Sequence, residues 1–139
     1  MTLSIRNQLP GTVTELHPGE VMATVKIHLD GGQDLMAAIT LEAVEQLGLA
    51  PGSPVRALVK STEISLATSR VEGLSIRNQL PGAIVHLALG AAMASVKVAV
   101  PGGELTAVIT KDAAEDLGLF VGSDVIALIK STEVSLASL

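Results

Sequence analysis

The sequence predicts an all-β protein with one short helix per repeat, built as two tandem OB-like β-barrels. Three observations carry that expectation. Ser4-Ile5-Arg6-Asn7-Gln8-Leu9-Pro10-Gly11 recurs unchanged as Ser75-Ile76-Arg77-Asn78-Gln79-Leu80-Pro81-Gly82, and Lys60-Ser61-Thr62-Glu63 recurs as Lys130-Ser131-Thr132-Glu133. The first offset is 71 residues and the second 70, the difference being one residue lost where Gln33-Asp34-Leu35 faces Glu104-Leu105. Between these landmarks, short alternating apolar runs rich in β-branched residues are broken by glycine turns, and only one stretch per copy has helical spacing. Pairing Leu3–Gln33 with Leu74–Glu104 and Leu35–Ser69 with Leu105–Leu139 gives 66 pairs, of which 38 are identical. The chain is therefore a duplicated domain, with units at 1–69 and 74–139. Arg70-Val71-Glu72-Gly73 is all that remains as a linker, too short for two units to move independently.

Within one unit, Ser4 to Arg6 reads as extended. Val21–Leu29 alternates, Gly31-Gly32 turns the chain, and Leu35–Ile39 returns as the second arm of a hairpin. Thr40 is a fitting N-cap, Glu42 lies in the first turn, Ala43, Val44 and Leu47 supply an apolar face, and Gly48 stops the helix. Pro51-Gly52 makes a turn, and Val55–Val59 and Ile64–Ala67 read as short strands. The second copy repeats the plan, with Thr110, Asp112, Ala113, Ala114, Leu117 and Gly118 marking its helix. Short strands with one small helix fit a small closed barrel. A unit of this size has a thin core, so association with further copies is expected.

Composition removes several function classes. At 48% apolar and 17% charged, the chain is core-forming rather than disordered. There is no cysteine, hence no disulfide, thiol nucleophile or zinc–cysteine site. Phe120 is the one aromatic residue, and the net charge is −5, which together oppose nucleic-acid binding. No apolar run long enough to span a bilayer and no basic-then-apolar leader is evident, so no membrane association and a cytoplasmic location are expected.

The two copies also show which polar residues the unit keeps. The histidines are all unmatched: His17 faces Ala88, His28 faces Ala99 and His86 faces Glu15. A histidine site common to both units is thereby disfavoured. Glu45/Glu115 and Glu63/Glu133 are matched, but no matched base, second acid or thiol stands near them, and Gly31-Gly32 lacks the lysine and hydroxyl of a phosphate loop. No enzyme is expected. What survives is a set of donors: Ser4, Arg6, Asn7, Gln8, Thr40, Lys60, Ser61 and Thr62, with their counterparts. One Arg and one Lys can neutralise a dianion, and hydroxyl and N–H groups can satisfy its oxygens. Alternatively, Arg6 and Lys60 pair with Glu63 or Glu42 on the surface.

Ser-Ile-Arg-Asn-Gln, at 4–8 and again at 75–79, resembles the Ser-Ala-Arg-Asn-Gln signature that opens the Mop domain of molbindins. The later Lys-Ser-Thr-Glu and the intervening Ile-Thr…Leu-Gly-Leu…Gly pattern are similar to the same domain. The resemblance covers both copies, so the chain looks like a two-Mop-domain molbindin, a Mop/TOBE-like fold. It implies a cytoplasmic homo-oligomer, a trimer of double domains, that holds molybdate or tungstate between subunits for intracellular storage and homeostasis. The metal is implied as an oxyanion, with no direct cation ligand. The anion contacts implied are Ser4, Arg6, Thr40, Lys60 and Ser61, and in the second copy Ser75, Arg77, Thr110, Lys130 and Ser131. Ala43 and Ala113 stand where some members carry serine, which puts one hydroxyl contact in doubt. Two other readings stay open: a molybdate-sensing module that docks on a partner protein, and a sulfate-type oxyanion binder.

Overall fold

The computed structural model describes residues 2–139. The first repeat supplies β1 (Asn7–Pro18), β2 (Met22–Leu29), β3 (Asp34–Thr40), α1 (Leu41–Leu47), β4 (Pro54–Val59) and β5 (Ile64–Ala67). The second supplies β6 (Asn78–Leu89), β7 (Met93–Val100), β8 (Gly103–Thr110), α2 (Lys111–Asp116), β9 (Asp124–Ile129) and β10 (Ser135–Ser138). The expected all-β tandem architecture is present, and the helix punctuation is as read. Thr40 and Thr110 accept hydrogen bonds from the Ala43 and Ala113 N–H groups, both at 3.1 Å. Gly48, at φ 63°, closes α1 in the left-handed region that favours glycine.

The repeat in the sequence is not the sheet in space. One antiparallel sheet has the order β10-β4-β1-β2-β3 and the other β5-β9-β6-β7-β8. Each repeat thus gives its last strand to the other. Ser135–Ser138 pairs with Val55–Leu58, and Ile64–Ala67 pairs with Ile126–Ile129. The two curled half-barrels also share one apolar core, in which Leu9, Val25, Ile27 and Leu35 join Leu80, Val96, Val98 and Leu105. The hairpin tips of the repeats meet backbone to backbone, Gly31 lying against Pro101 and Gly102.

β1 and β6 each carry Pro-Gly in the middle of a central strand, a pair that ordinarily spells a turn. Proline belongs at edges because it cannot donate to a ladder. Here Pro10 sits opposite Arg56 on β4, while its carbonyl accepts from the Asp30 N–H at 3.0 Å. N–H and C=O of one antiparallel residue point to the same neighbour, so the missing donor of Pro10 falls toward β2 where that strand has already ended. Gly11 follows at a close approach of β1 to β2. A Cβ there would lie 2.7 Å from both the His28 carbonyl oxygen and Ile27 Cγ2, and at Gly82 it would lie 2.5 Å from the Ala99 carbonyl oxygen. Bulges between Val13 and Glu15, and between Ile84 and His86, complete the curl. Gly82→Ala is expected to cost about 1–3 kcal/mol by overpacking a site walled by backbone. A urea midpoint equal to wild type would show that the close approach tolerates a side chain.

Candidate anion-binding site

The β1–β4 ladder ends at the pair Asn7–Val59, and the β6–β9 ladder at Asn78–Ile129. Arg6 and Lys60 each stand one residue past that end, as do Arg77 and Lys130. The register therefore brings together, at one end of each half-barrel, a cation from the start of the repeat and a cation from near its end. Beyond Lys60 the chain enters a single 3-10 turn, Ser61–Glu63, tied by the Glu63 N–H to the Lys60 carbonyl at 2.9 Å. Its counterpart is Ser131–Glu133. Ser75, Lys130 and Ser131 line one cleft of about 260 Å3 together with Ile76 and Thr132. Ser4, Arg6, Ser75, Arg77, Lys60 and Lys130 are exposed, and Ser61 and Ser131 half-buried. Among the described residues, Arg6, Lys60, Arg77 and Lys130 make no ion pair, the pairs present being those of His17, Lys26, His28 and Lys111. Surface pairing of Arg6 or Lys60 with Glu63 or Glu42 does not occur. The Arg77 side chain lines a separate cleft at the linker, so in the second repeat the register sets Arg and Lys side by side without one cleft holding both.

Asn7 and Asn78, counted among the donors from sequence, are used elsewhere. They are the buried polar residues, at 2% and 5% exposure. The Asn7 amide accepts from the Thr106 N–H at 2.8 Å and donates to the Thr106 carbonyl at 2.9 Å. Asn78 does the same with Met36, at 2.9 and 2.8 Å. Each amide thus imitates a strand, fastening β1 of one sheet to β8 of the other, and β6 to β3. The same Asn7 Nδ2 lies 3.5 Å from Ser61 Oγ. Period-two alternation carried the signal, since Asn7 is in phase with the buried Leu9 and Val13, whereas Arg6 and Gln8 are out of phase with them. Gln8 and Gln79 are also structural. Gln8 donates to the Ile5 carbonyl at 3.0 Å and Gln79 to the Ile76 carbonyl at 3.1 Å, bracing the segments that carry Arg6 and Arg77.

Thr40 and Thr110 lie apart from these clusters. Thr40 pairs with Met22, and Ala23 pairs with Pro18 at the far end of β1, roughly 36 Å along the strand path from Asn7. The cleft that contains Thr40 is acidic, lined by Glu20, Glu42 and Glu45 with Val21 and Leu41. The basic end of the opposite repeat comes closer. The turn after Lys130 packs on β3, and Met36, held by Asn78, is four residues before Thr40, about 13 Å along the strand. Among the described residues, no group of three His, Asp or Glu side chains is placed to hold a metal cation. No helix is long and apolar enough to cross a membrane.

Two curled sheets with exchanged edges, each with an Arg and a Lys one residue past the end of a strand ladder, define a tandem β-barrel protein. The chain belongs to the TOBE domain family, which matches residues 3–66 and 74–136. It is 41% identical over 138 residues to the molybdenum transport protein ModE of Azotobacter vinelandii, covering 99% of this chain and 51% of that one. It is 41% identical over 136 residues to the molybdenum-pterin-binding protein MopB of Rhodobacter capsulatus, covering 96% of this chain and 50% of that one. The chain therefore spans about half the length of these relatives. A solved structure described as the cytoplasmic molybdate-binding protein ModG, with molybdate bound, superposes with a TM-score of 0.97 at 41% identity, each chain covered in full.

Proposed function

We propose that this protein binds molybdate, or tungstate, as the tetrahedral oxyanion and serves intracellular molybdenum storage and homeostasis in the cytoplasm. The observation that carries the reading is the register that sets an unpaired Arg and an unpaired Lys side by side, one residue past the end of a strand ladder, in both copies. ModG, the molybdate-bound relative over the whole chain, supports it. The proposed contacts are Ser4, Arg6, Lys60 and Ser61, with Ser75, Arg77, Lys130 and Ser131 in the second repeat. Thr40 and Thr110 reach such a cluster from another subunit, because within one chain they stand far from their own repeat's Arg and Lys. A homotrimer that seats the anions in its subunit seams accommodates this. The repeats 1–69 and 74–139 are then the units of duplication, and the exchanged sheets the units of folding. Catalysis has no part in this role.

A cluster of donors alone selects for an anion that needs only donors. Hydrogen phosphate carries a proton for which the cluster offers no carboxylate, so a serine hydroxyl must turn from donor to acceptor and forfeit a contact, at a cost of about 1–3 kcal/mol. Calorimetric competition is expected to rank sulfate above phosphate as a displacer of molybdate. Phosphate displacing molybdate as readily as sulfate overturns the donor-only site.

A further inference from the structure

A second cleft, of about 360 Å3, lies where the two repeats join. Its walls are the linker Arg70–Gly73 with Leu74 on one side, and Arg77 and Gln79 at the opening of β6 on the other. The linker is fixed in place. Gln79 receives the Val71 N–H at 3.0 Å and donates to the Val71 carbonyl at 2.8 Å, and Gly73, at φ 70°, turns the chain back toward β6. Arg70 and Arg77 thus face one polar space, and neither makes an ion pair among the described residues. Glu72 lines the same space without pairing to either. Arg70 belongs to the linker alone, with no counterpart among the matched residues of the repeats.

From this arrangement we infer that the linker cleft is an anion pocket of its own, one per chain, with the chemistry of hydrogen phosphate; it shares Arg77 with the second-repeat contacts proposed above, so phosphate here and molybdate there compete for that guanidinium. Two guanidinium groups supply forked donors for its unprotonated oxygens. The Glu72 carboxylate supplies what the Lys60 and Lys130 clusters lack, a charged, acceptor-only group for the proton that hydrogen phosphate keeps at neutral pH. Sulfate and molybdate have no such proton and meet Glu72 as a repelling charge. The cleft exceeds the size of the bare ion, so bridging water completes the contacts.

Titration of the full chain with inorganic phosphate, followed by phosphorus NMR or equilibrium dialysis, is expected to show one phosphate per chain. Arg70→Ala removes charge-assisted contacts and weakens phosphate by about ten- to a hundredfold. Glu72→Met weakens phosphate while strengthening sulfate, so the two anions move in opposite directions. Both positions are exposed, so neither change threatens the core. Lys60→Ala/Lys130→Ala leaves the phosphate bound while molybdate binding falls, which keeps this site separable from the function proposed above. No phosphate bound by the wild type at millimolar concentration, or binding unchanged in Arg70→Ala, overturns the site. Phosphate and sulfate shifting together in Glu72→Met overturns the role of Glu72.

Discussion

Molybdate is expected to raise the melting temperature of the wild-type protein, and that rise is expected to collapse when Lys60 and Lys130 are both changed to alanine. A ligand bound only by the folded state adds about 2.7 kcal/mol at a hundredfold excess over its dissociation constant. On the proposed reading each lysine supplies a charge-assisted contact of about 1.5–3 kcal/mol, so its loss is expected to weaken a site by roughly ten- to a hundredfold. Both lysines are exposed and make no ion pair among the described residues, so the unliganded protein keeps its stability. Whether the sites span subunits follows from mixing. Arg6→Ala/Arg77→Ala chains and Lys60→Ala/Lys130→Ala chains are unfolded and refolded together. Seams that draw the Arg from one subunit and the Lys from another regain both, and binding partly returns. Since the register sets Arg6 beside Lys60 in one chain, a mixture that binds no better than either variant assigns both cations to one subunit. In that case only Thr40 and Thr110 are left to come from a neighbour. An undiminished thermal shift in the lysine variant would make those lysines ordinary surface charges.

The largest loss of stability is expected from Asn7→Leu. The substitution keeps the forked, four-heavy-atom shape of the side chain but strands the N–H and carbonyl of Thr106 between two sheets. Each buried group left without a partner costs about 1–3 kcal/mol, so roughly 2–5 kcal/mol is expected, with the same for Asn78→Leu at Met36. Asn7→Asp keeps the acceptor for the Thr106 N–H but sets a charged oxygen against the Thr106 carbonyl, and burying that charge is costly too. Chemical denaturation monitored by far-UV circular dichroism measures all three. A midpoint for Asn7→Leu within error of wild type would mean that the shared core alone holds the half-barrels together.

Much of this molecule is legible in its residues, and the limits have physical causes. The β2–β3 hairpin, the helix between Thr40 and Gly48, and the strand Ile64–Ala67 follow from alternation and capping. β1 is hidden because Pro10-Gly11 spells a break, and only the early end of β2 makes a proline harmless in a central strand. The exchange of edges is hidden for another reason. Ser65-Leu66-Ala67 and Ser135-Leu136-Ala137 are identical, so either could zip onto β4 or β9 with the same side chains facing the same way. Local pattern cannot choose between them; the ten residues from Thr68 to Arg77, with Val71 bound to Gln79, decide it. The cations past the ends of β1 and β4 were found because duplication kept them. Asn7 was found too, but an amide offers the same donors to a ligand as to a neighbouring strand, and only its phase with Leu9 tells which.

The exchanged edges also set a timetable for synthesis. β1 to β4 leave the ribosome well before the strand that covers the free edge of β4, which is made more than 70 residues later. Until then β4 presents unpaired N–H and carbonyl groups, which invite any strand that arrives. The first to arrive is β5, whose sequence suits that edge but whose finished place is beside β9. A nascent chain can therefore close its first repeat upon itself, and must reopen that closure before the two halves interlock. Slow maturation is built into such an order. Two chains emerging side by side can also complete each other's edges instead of their own.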